Sequence, residues 1–197
     1  MTLIGTLRDG ALGLMALGAL SFVDAPLRTF GQQWRARRSR ERTILLTLEL
    51  DLYALWALAK FHLRWDRGLP PAAEAALAGA GALLVLAGVT LAVRAKLRLG
   101  RWFSATFGVK QGHVLVTDGP YALTRHPIYT GILATIVGAA LLWNSLLTLA
   151  LAALMAVPLH FHTVYEEALF EQHFGDAYRD YQRRVPRLVP FVPASRR

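Results

Sequence analysis

No cysteine occurs in the 197 residues. That absence excludes a disulfide scaffold, Cys-ligated zinc, iron–sulfur clusters and thiol catalysis. Charge is also scarce. Only 18% of the residues are Asp, Glu, Lys or Arg, against about 25% in an ordinary soluble domain. Acidic residues are the scarcer kind, 13 against 22 Lys and Arg, so the formal net charge is +9. What fills the chain instead is apolar: 54% of it, which excludes a disordered polymer. A nucleic-acid module fits poorly, because such modules spread their basic charge over a polar surface. A chain that is apolar and basic together suits a membrane protein whose basic loops gather on one side. The length suits a single domain, residues 1–197.

A bilayer core of about 30 Å needs roughly 20 mostly apolar helical residues. The candidate spans are Gly10–Phe30, Thr43–Leu63, Ala72–Val93, Ile128–Trp143 and Leu146–Tyr165. The first reads as a span rather than a signal peptide, since Arg8 is cancelled by Asp9 and Pro26 follows Ala25 at the place of cleavage. Pro70-Pro71 suits the start of the third. Trp143-Asn144-Ser145 is a tight break that makes the last two a helical hairpin. The basic stretches are Arg28–Arg42, Arg94–Pro127 and the tail after Glu166. Five spans put all three on one face, which the positive-inside rule makes cytoplasmic. The N-terminus then lies outside and the C-terminus inside, and a bacterial inner membrane is the expected location. The expected fold is an all-α integral membrane protein of five transmembrane helices, with a C-terminal helical hairpin, a cytoplasmic cofactor-binding segment and a C-terminal amphipathic helix.

Polar residues concentrate in two cytoplasmic segments, Gly112–Gly131 and His160–Pro190. In the first, His113–Thr117 reads as extended, Asp118-Gly119-Pro120 as a turn, and Arg125-His126-Pro127 as the opening of the fourth helix. Proline at the first helical position drives His126 out of helical geometry. The helix N-terminus behind it offers free N–H groups to an anion, and Arg125 and His126 can add charge-assisted bonds. In the second segment, Glu166 and Glu167 stand at the end of the fifth span, where acidic groups oppose the helix dipole. Either they bind a cation, or they pair with Arg183, Arg184 or Lys110. His162 lies one turn before Glu166 on the same face. Together the segments can hold a zwitterion, its anion at Arg125/His126 and its ammonium at Glu166/Glu167.

The spacing His113-x-Leu115-Val116-Thr117-x-Gly119-x-Tyr121 and Arg125-His126-Pro127-x-Tyr129-x-Gly131 resembles the isoprenylcysteine carboxyl methyltransferase family, prokaryotic type. So does Glu166-Glu167 with Phe174-Gly175-x-x-Tyr178-x-x-Tyr181 and Arg184-Val185-Pro186. The resemblance covers roughly Phe103 to Val192. It implies an integral membrane enzyme that uses S-adenosyl-L-methionine and releases S-adenosyl-L-homocysteine. Carried over position by position, cofactor contacts fall on His113, Leu115, Val116, Gly119, Tyr121, His126, Pro127 and Glu166, with Tyr129, Gly131 and Glu167 beside them. Gly131 is the position expected to admit a close approach of backbone or ligand. Residues 96–197 then form the methyltransferase core, and residues 1–95, which align with nothing, carry the substrate side.

Methyl transfer is an in-line displacement that needs aligned reactants about 3 Å apart. A carboxylate acceptor needs no base. An amine acceptor does, and His162, Glu166 or His126 are candidates. The candidate catalytic residues are thus Arg125, His162 and Glu166. Glu49 and Asp51 are candidate substrate contacts, because acids inside a span usually face the bundle interior; the resemblance implies His162 as another, at the position where the eukaryotic carboxyl methyltransferases carry a substrate arginine. His160 and His162 point to different sides of a helix, so no metal site is expected. Trp102 and the other tryptophans fall near the expected interfaces and fit an aromatic belt. Phe170, Phe174, Tyr178 and Tyr181 recur along one expected amphipathic tail helix. The expected partners are a lipophilic or prenylated substrate and membrane lipids, with no nucleic acid. First among acceptors is the carboxyl group of a prenylated cysteine. The alternatives are a phospholipid amine or small thiol, a sterol-type reductase using NADPH, and a non-enzymatic lipid-binding protein.

Overall fold

The computed structural model describes residues 2–20, 69–103 and 112–191. These residues form helices and their connections, with no strand among them. In chain order the helices are α1 (Leu3–Leu20), α2 (Pro71–Leu99), α3 (Pro120–Leu123), α4 (Pro127–Leu142), α5 (Leu146–Phe174) and α6 (Asp176–Arg184). A 3₁₀ turn, Gly100–Trp102, extends α2.

Local chemistry sets most of the boundaries. Pro71 opens α2 and Pro127 opens α4, each at a helix start where a missing N–H costs nothing. Gly100 ends α2 at φ +52°, a left-handed conformation that glycine adopts without penalty. Asn144, at φ +51°, turns the chain between α4 and α5. Ser145 then caps α5 by accepting from the Thr148 N–H at 3.1 Å. The hairpin break read from Trp143-Asn144-Ser145 therefore lies where expected.

Three boundaries differ from the sequence reading. α1 begins at Leu3, seven residues before Gly10. α2 runs on to Leu99 rather than stopping at Val93. α5 continues to Phe174, well past Tyr165, with Pro158 inside it. Glu166 and Glu167 accordingly sit two turns inside a helix, not at its end, and the dipole argument made for them does not apply. The tail is not one helix either. Gly175, at φ +56°, separates Phe170 and Phe174 on α5 from Tyr178 and Tyr181 on α6. The expected span Thr43–Leu63, and the part of Gly10–Phe30 beyond Leu20, lie outside the described residues. Among the described helices, α2 with its 3₁₀ turn and α5 are long and apolar enough to cross a membrane, and α4 is a shorter apolar helix.

The core is a seam between α2 and α4. A Cβ on Gly81 would lie 2.6 Å from the Gly138 carbonyl oxygen, and one on Gly138 2.8 Å from the Gly81 oxygen. One turn pair further along, a Cβ on Gly88 would meet the Gly131 oxygen at 2.6 Å, and one on Gly131 the Gly88 oxygen at 2.5 Å. The two glycine pairs, each seven residues apart on its helix, let the backbones touch, the packing mode of helices that gain little from a hydrophobic drive. Val85, Val89, Ala139, Leu142 and Trp143 fill the space around them, and α1 adds Ala11. Gly131 was expected to make room for backbone or ligand; the backbone of α2 takes that room.

Arg8 closes the far end of this seam. Its Nε donates to the Leu142 carbonyl at 3.1 Å and its Nη2 pairs with Glu74 at 3.3 Å. A cation there satisfies an orphan carbonyl at the end of α4.

Candidate active site

The opposite end of the bundle is polar. His126 is the N-cap of α4, at φ −123° and ψ 62°, the non-helical geometry that Pro127 imposes on it. It is buried, and so are Pro127 and Glu167. Burial of a carboxylate is costly unless it is paired and hydrogen-bonded, and Glu167 is heavily paired. Its Oε1 accepts from Arg125 Nε at 2.8 Å and contacts His126 Nε2 at 3.2 Å. Its Oε2 accepts from Arg187 Nη2 at 2.8 Å and Gln182 Nε2 at 3.4 Å.

Arg125 uses its remaining donors on the tail: Nη1 donates to the carbonyls of Gln182 at 2.9 Å and Val185 at 2.5 Å. The seat for an external anion expected at Arg125 is thus filled by Glu167 and by main-chain oxygens. The backbone continues the same dock. Arg125 N–H donates to Pro186 O at 2.8 Å and His126 N–H to Arg187 O at 3.1 Å. The hydroxyls of Thr124 and Thr130 donate to Arg187 O and Leu188 O, both at 2.6 Å. The Tyr181 hydroxyl donates to Tyr121 O at 2.6 Å. Burial pushes the phenols of Tyr121, Tyr178 and Tyr181 upward. They stay protonated and able to donate.

Glu166 differs from its neighbour. Its Oε2 is buried with no hydrogen-bond partner among the described residues and lies 3.6 Å from His126 Nδ1. His126 thus stands between the two glutamates, Nε2 on Glu167 and Nδ1 facing Glu166, and the open Glu166 oxygen suits a cationic donor. Tyr129 stacks on His126 at 5.8 Å between ring centroids and meets His162 edge-on at 5.3 Å. His162 is buried as well. Arg125, His126, Tyr129, His162, Glu166 and Glu167 are therefore one cluster, as the sequence grouped them.

A groove of about 450 Å³ runs between the end of α2 and residues 114–118. Leu99, Trp102, Leu115 and Val116 supply its apolar walls, and Arg98, Arg101, Thr117 and Asp118 its polar ones. His113 stacks on Trp102 with centroids 5.1 Å apart and a 10° tilt, and its edge contacts Phe170 and Phe174. Leu115 also packs on the cluster of Tyr178, Tyr181 and Val185. One segment thus joins the groove to α5 and α6. Arg98 bonds Asp118 at 2.5 Å across the surface, and that bond holds the Asp118 carboxyl below its usual range. Asp118 is followed by Gly119 at φ +59°, where the turn enters α3.

Of the expected cofactor residues, Leu115 and Val116 line this groove, while His113 buttresses its Trp102 wall. Tyr121 and Pro127 are buried in the dock beside it. Glu49 and Asp51 lie outside the described residues. Sequence reading missed Trp102, which it placed in an aromatic belt, and Arg98 and Arg101 beside it. It also named Arg183 and Arg184 as partners of the glutamates. Instead, Arg183 pairs with Asp180 and Arg184 donates to the Asp180 carbonyl, while Arg187 reaches Glu167.

The chain is 35% identical over 115 residues to protein-S-isoprenylcysteine O-methyltransferase B of Arabidopsis thaliana, covering 57% of this chain and 58% of that protein. It is 33% identical over 102 residues to the Schizosaccharomyces pombe protein-S-isoprenylcysteine O-methyltransferase, covering 50% and 43%. A nickel-cobalt-cadmium resistance protein of Alcaligenes xylosoxydans xylosoxydans matches at 33% identity, with 69% and 59% covered. The chain thus spans less than two thirds of the length of these relatives. A solved structure of the eukaryotic intramembrane Ras methyltransferase, isoprenylcysteine carboxyl methyltransferase, superposes with a TM-score of 0.61 at 24% identity, over 96% of this chain and 68% of that one. The profile of the phospholipid methyltransferases matches residues 77–177, a range that runs from the glycine seam through His126, Glu166 and Glu167 to the start of α6. With seam, turn and acidic pair all inside that match, the chain belongs to the phospholipid methyltransferase family.

Proposed function

We propose that the protein is an S-adenosyl-L-methionine-dependent methyltransferase that methylates the carboxyl group of a prenylated cysteine at the cytoplasmic membrane face. The observation that carries this reading is Glu166. Its Oε2 is buried, accepts no hydrogen bond among the described residues and lies 3.6 Å from His126 Nδ1, an arrangement suited to an ammonium group. The groove next to Leu115 and Val116 offers the apolar and aromatic walls that a flat purine needs. The cofactor's residues would then be Leu99, Trp102, Leu115 and Val116 around the ring system, with His126 and Glu166 around its charged end. When bound, S-adenosyl-L-methionine supplies an electrophilic methyl on a sulfonium.

The rest is the work of this chain. Glu167 holds Arg125 and His126 in place. Half-buried Tyr129 and buried His162 form the ring wall beside them. Exposed Leu83, Leu86 and Leu97 on α2, and Leu154, Val157 and Phe161 on α5, present an apolar surface to lipid. At about 1.5 Å per residue, the 29-residue α5 is about 43 Å long. It outreaches a hydrocarbon core of about 30 Å and carries Glu166 toward the water. The N-terminus lies outside and the C-terminus inside, with residues 1–95 on the substrate side. A lipid amine is the second acceptor reading, favoured by the buried His162 as a base one turn from Glu166.

The test is transfer of labelled methyl in proteoliposomes to farnesyl-cysteine and to phosphatidylethanolamine. Base-labile label on farnesyl-cysteine is expected. Tight NADPH binding with no binding of S-adenosyl-L-homocysteine would overturn the reading.

A further inference from the structure

We infer that Arg187 is a positioning residue of the cofactor site, acting through Glu167 on His126, and that the tail segment carrying it is a working part of that site. The inference rests on the proposed function for its ligand but on geometry for its substance. Glu167 shares its two oxygens between two sets of donors. Oε1 serves Arg125 and His126, which precede α4; Oε2 serves Arg187 and Gln182, which come from the tail. Glu167 therefore has a defined orientation only when both sides are present. Without Arg187, Oε2 keeps one long contact to Gln182, and the carboxylate is held mainly at Oε1, by Arg125 and His126. His126 then loses the fixed partner that keeps Nε2 on Glu167 and Nδ1 toward Glu166.

The main chain keeps Arg187 in register. Its carbonyl accepts from His126 N–H and from the Thr124 hydroxyl, at 3.1 and 2.6 Å. Those two bonds do not depend on the arginine side chain, so replacing it spares the dock of the tail. The side chain is about one fifth exposed, and its Nε is buried without a hydrogen-bond partner.

The test compares Arg187→Met and Arg187→Lys with wild type in detergent, reading S-adenosyl-L-homocysteine affinity and the melting temperature of the ligand-free protein. Arg187→Met should weaken binding at least about tenfold, the size of one charge-assisted hydrogen bond, with the ligand-free melting temperature held. Arg187→Lys should restore affinity to within about threefold, since a cation returns to Oε2. In a Glu167→Gln background, Arg187→Met should add less than about twofold, because the two residues act as one unit. Wild-type affinity in Arg187→Met overturns the inference. So does a loss of affinity that tracks a fall in melting temperature. If wild type itself binds no S-adenosyl-L-homocysteine, the proposed function falls, and the inference is judged on the His126 imidazole ¹⁵N shifts, assigned with His126→Asn. Arg187→Met must move them, and unmoved shifts overturn it.

Discussion

The glycine seam of the α2–α4 pair and its polar His126 end are built from opposite materials. Along the seam, four glycines bring two backbones into contact and no charged side chain takes part. At the His126 end, a buried carboxylate is held by two guanidiniums, an imidazole and an amide, and the helix meets main-chain oxygens of the tail. The seam tolerates no added atoms but asks nothing of protonation. The polar end has room and chemistry, and it depends on every partner being present. The seam therefore governs whether the helices associate, and the polar end, on the proposed function, governs what they bind.

Substitutions can break that division at graded cost. The largest effect is expected from Gly131→Leu, which drives a side chain into the Gly88 carbonyl and the Ala92 backbone. It should cost about 3 kcal/mol or more and lower the melting temperature of the ligand-free protein sharply. Glu167→Ala comes next. It strips Arg125 of its buried partner, and loss of one member of such a pair costs about 3 kcal/mol. Both melting temperature and S-adenosyl-L-homocysteine affinity should fall. Glu166→Gln sharpens the contrast by removing charge without volume. Affinity should drop about tenfold or more while the melting temperature stays within a few degrees, as expected for a residue that binds rather than supports. Asp118→Asn should do least, since its partner Arg98 is exposed; melting should be unchanged and affinity altered by no more than about twofold. A drop in affinity for Glu166→Gln matched by an equal loss of stability would erase the distinction between the two ends.

Sequence alone exposed the polar end better than the seam. Pro127 forces His126 out of the helix wherever that pair occurs, so the turn was legible from local rules. Glu166 and Glu167 stood out because acids are rare in this chain. Glycines 81, 88, 131 and 138 look like ordinary composition until two helices are laid together, and nothing local says which helix faces which. The true end of α5 was hidden because the apolar run stops near Tyr165 while helical propensity continues to Gly175. Arg187 was hidden for a different reason. It is one of several tail arginines, and only the path of the chain after α6 selects it for Glu167.

Arg8 and the tail act on the same helix from its two ends. Arg8 holds the Leu142 carbonyl at the C-terminal end of α4, and residues 186–188 hold its N-terminal end. During synthesis Arg8 emerges before α4, and residues 186–188 only after α4, α5 and α6 have been made. The bundle can therefore assemble around α4 while its binding end stays unlatched, and a chain interrupted before Leu188 carries the turn and the acidic pair without the means to hold them.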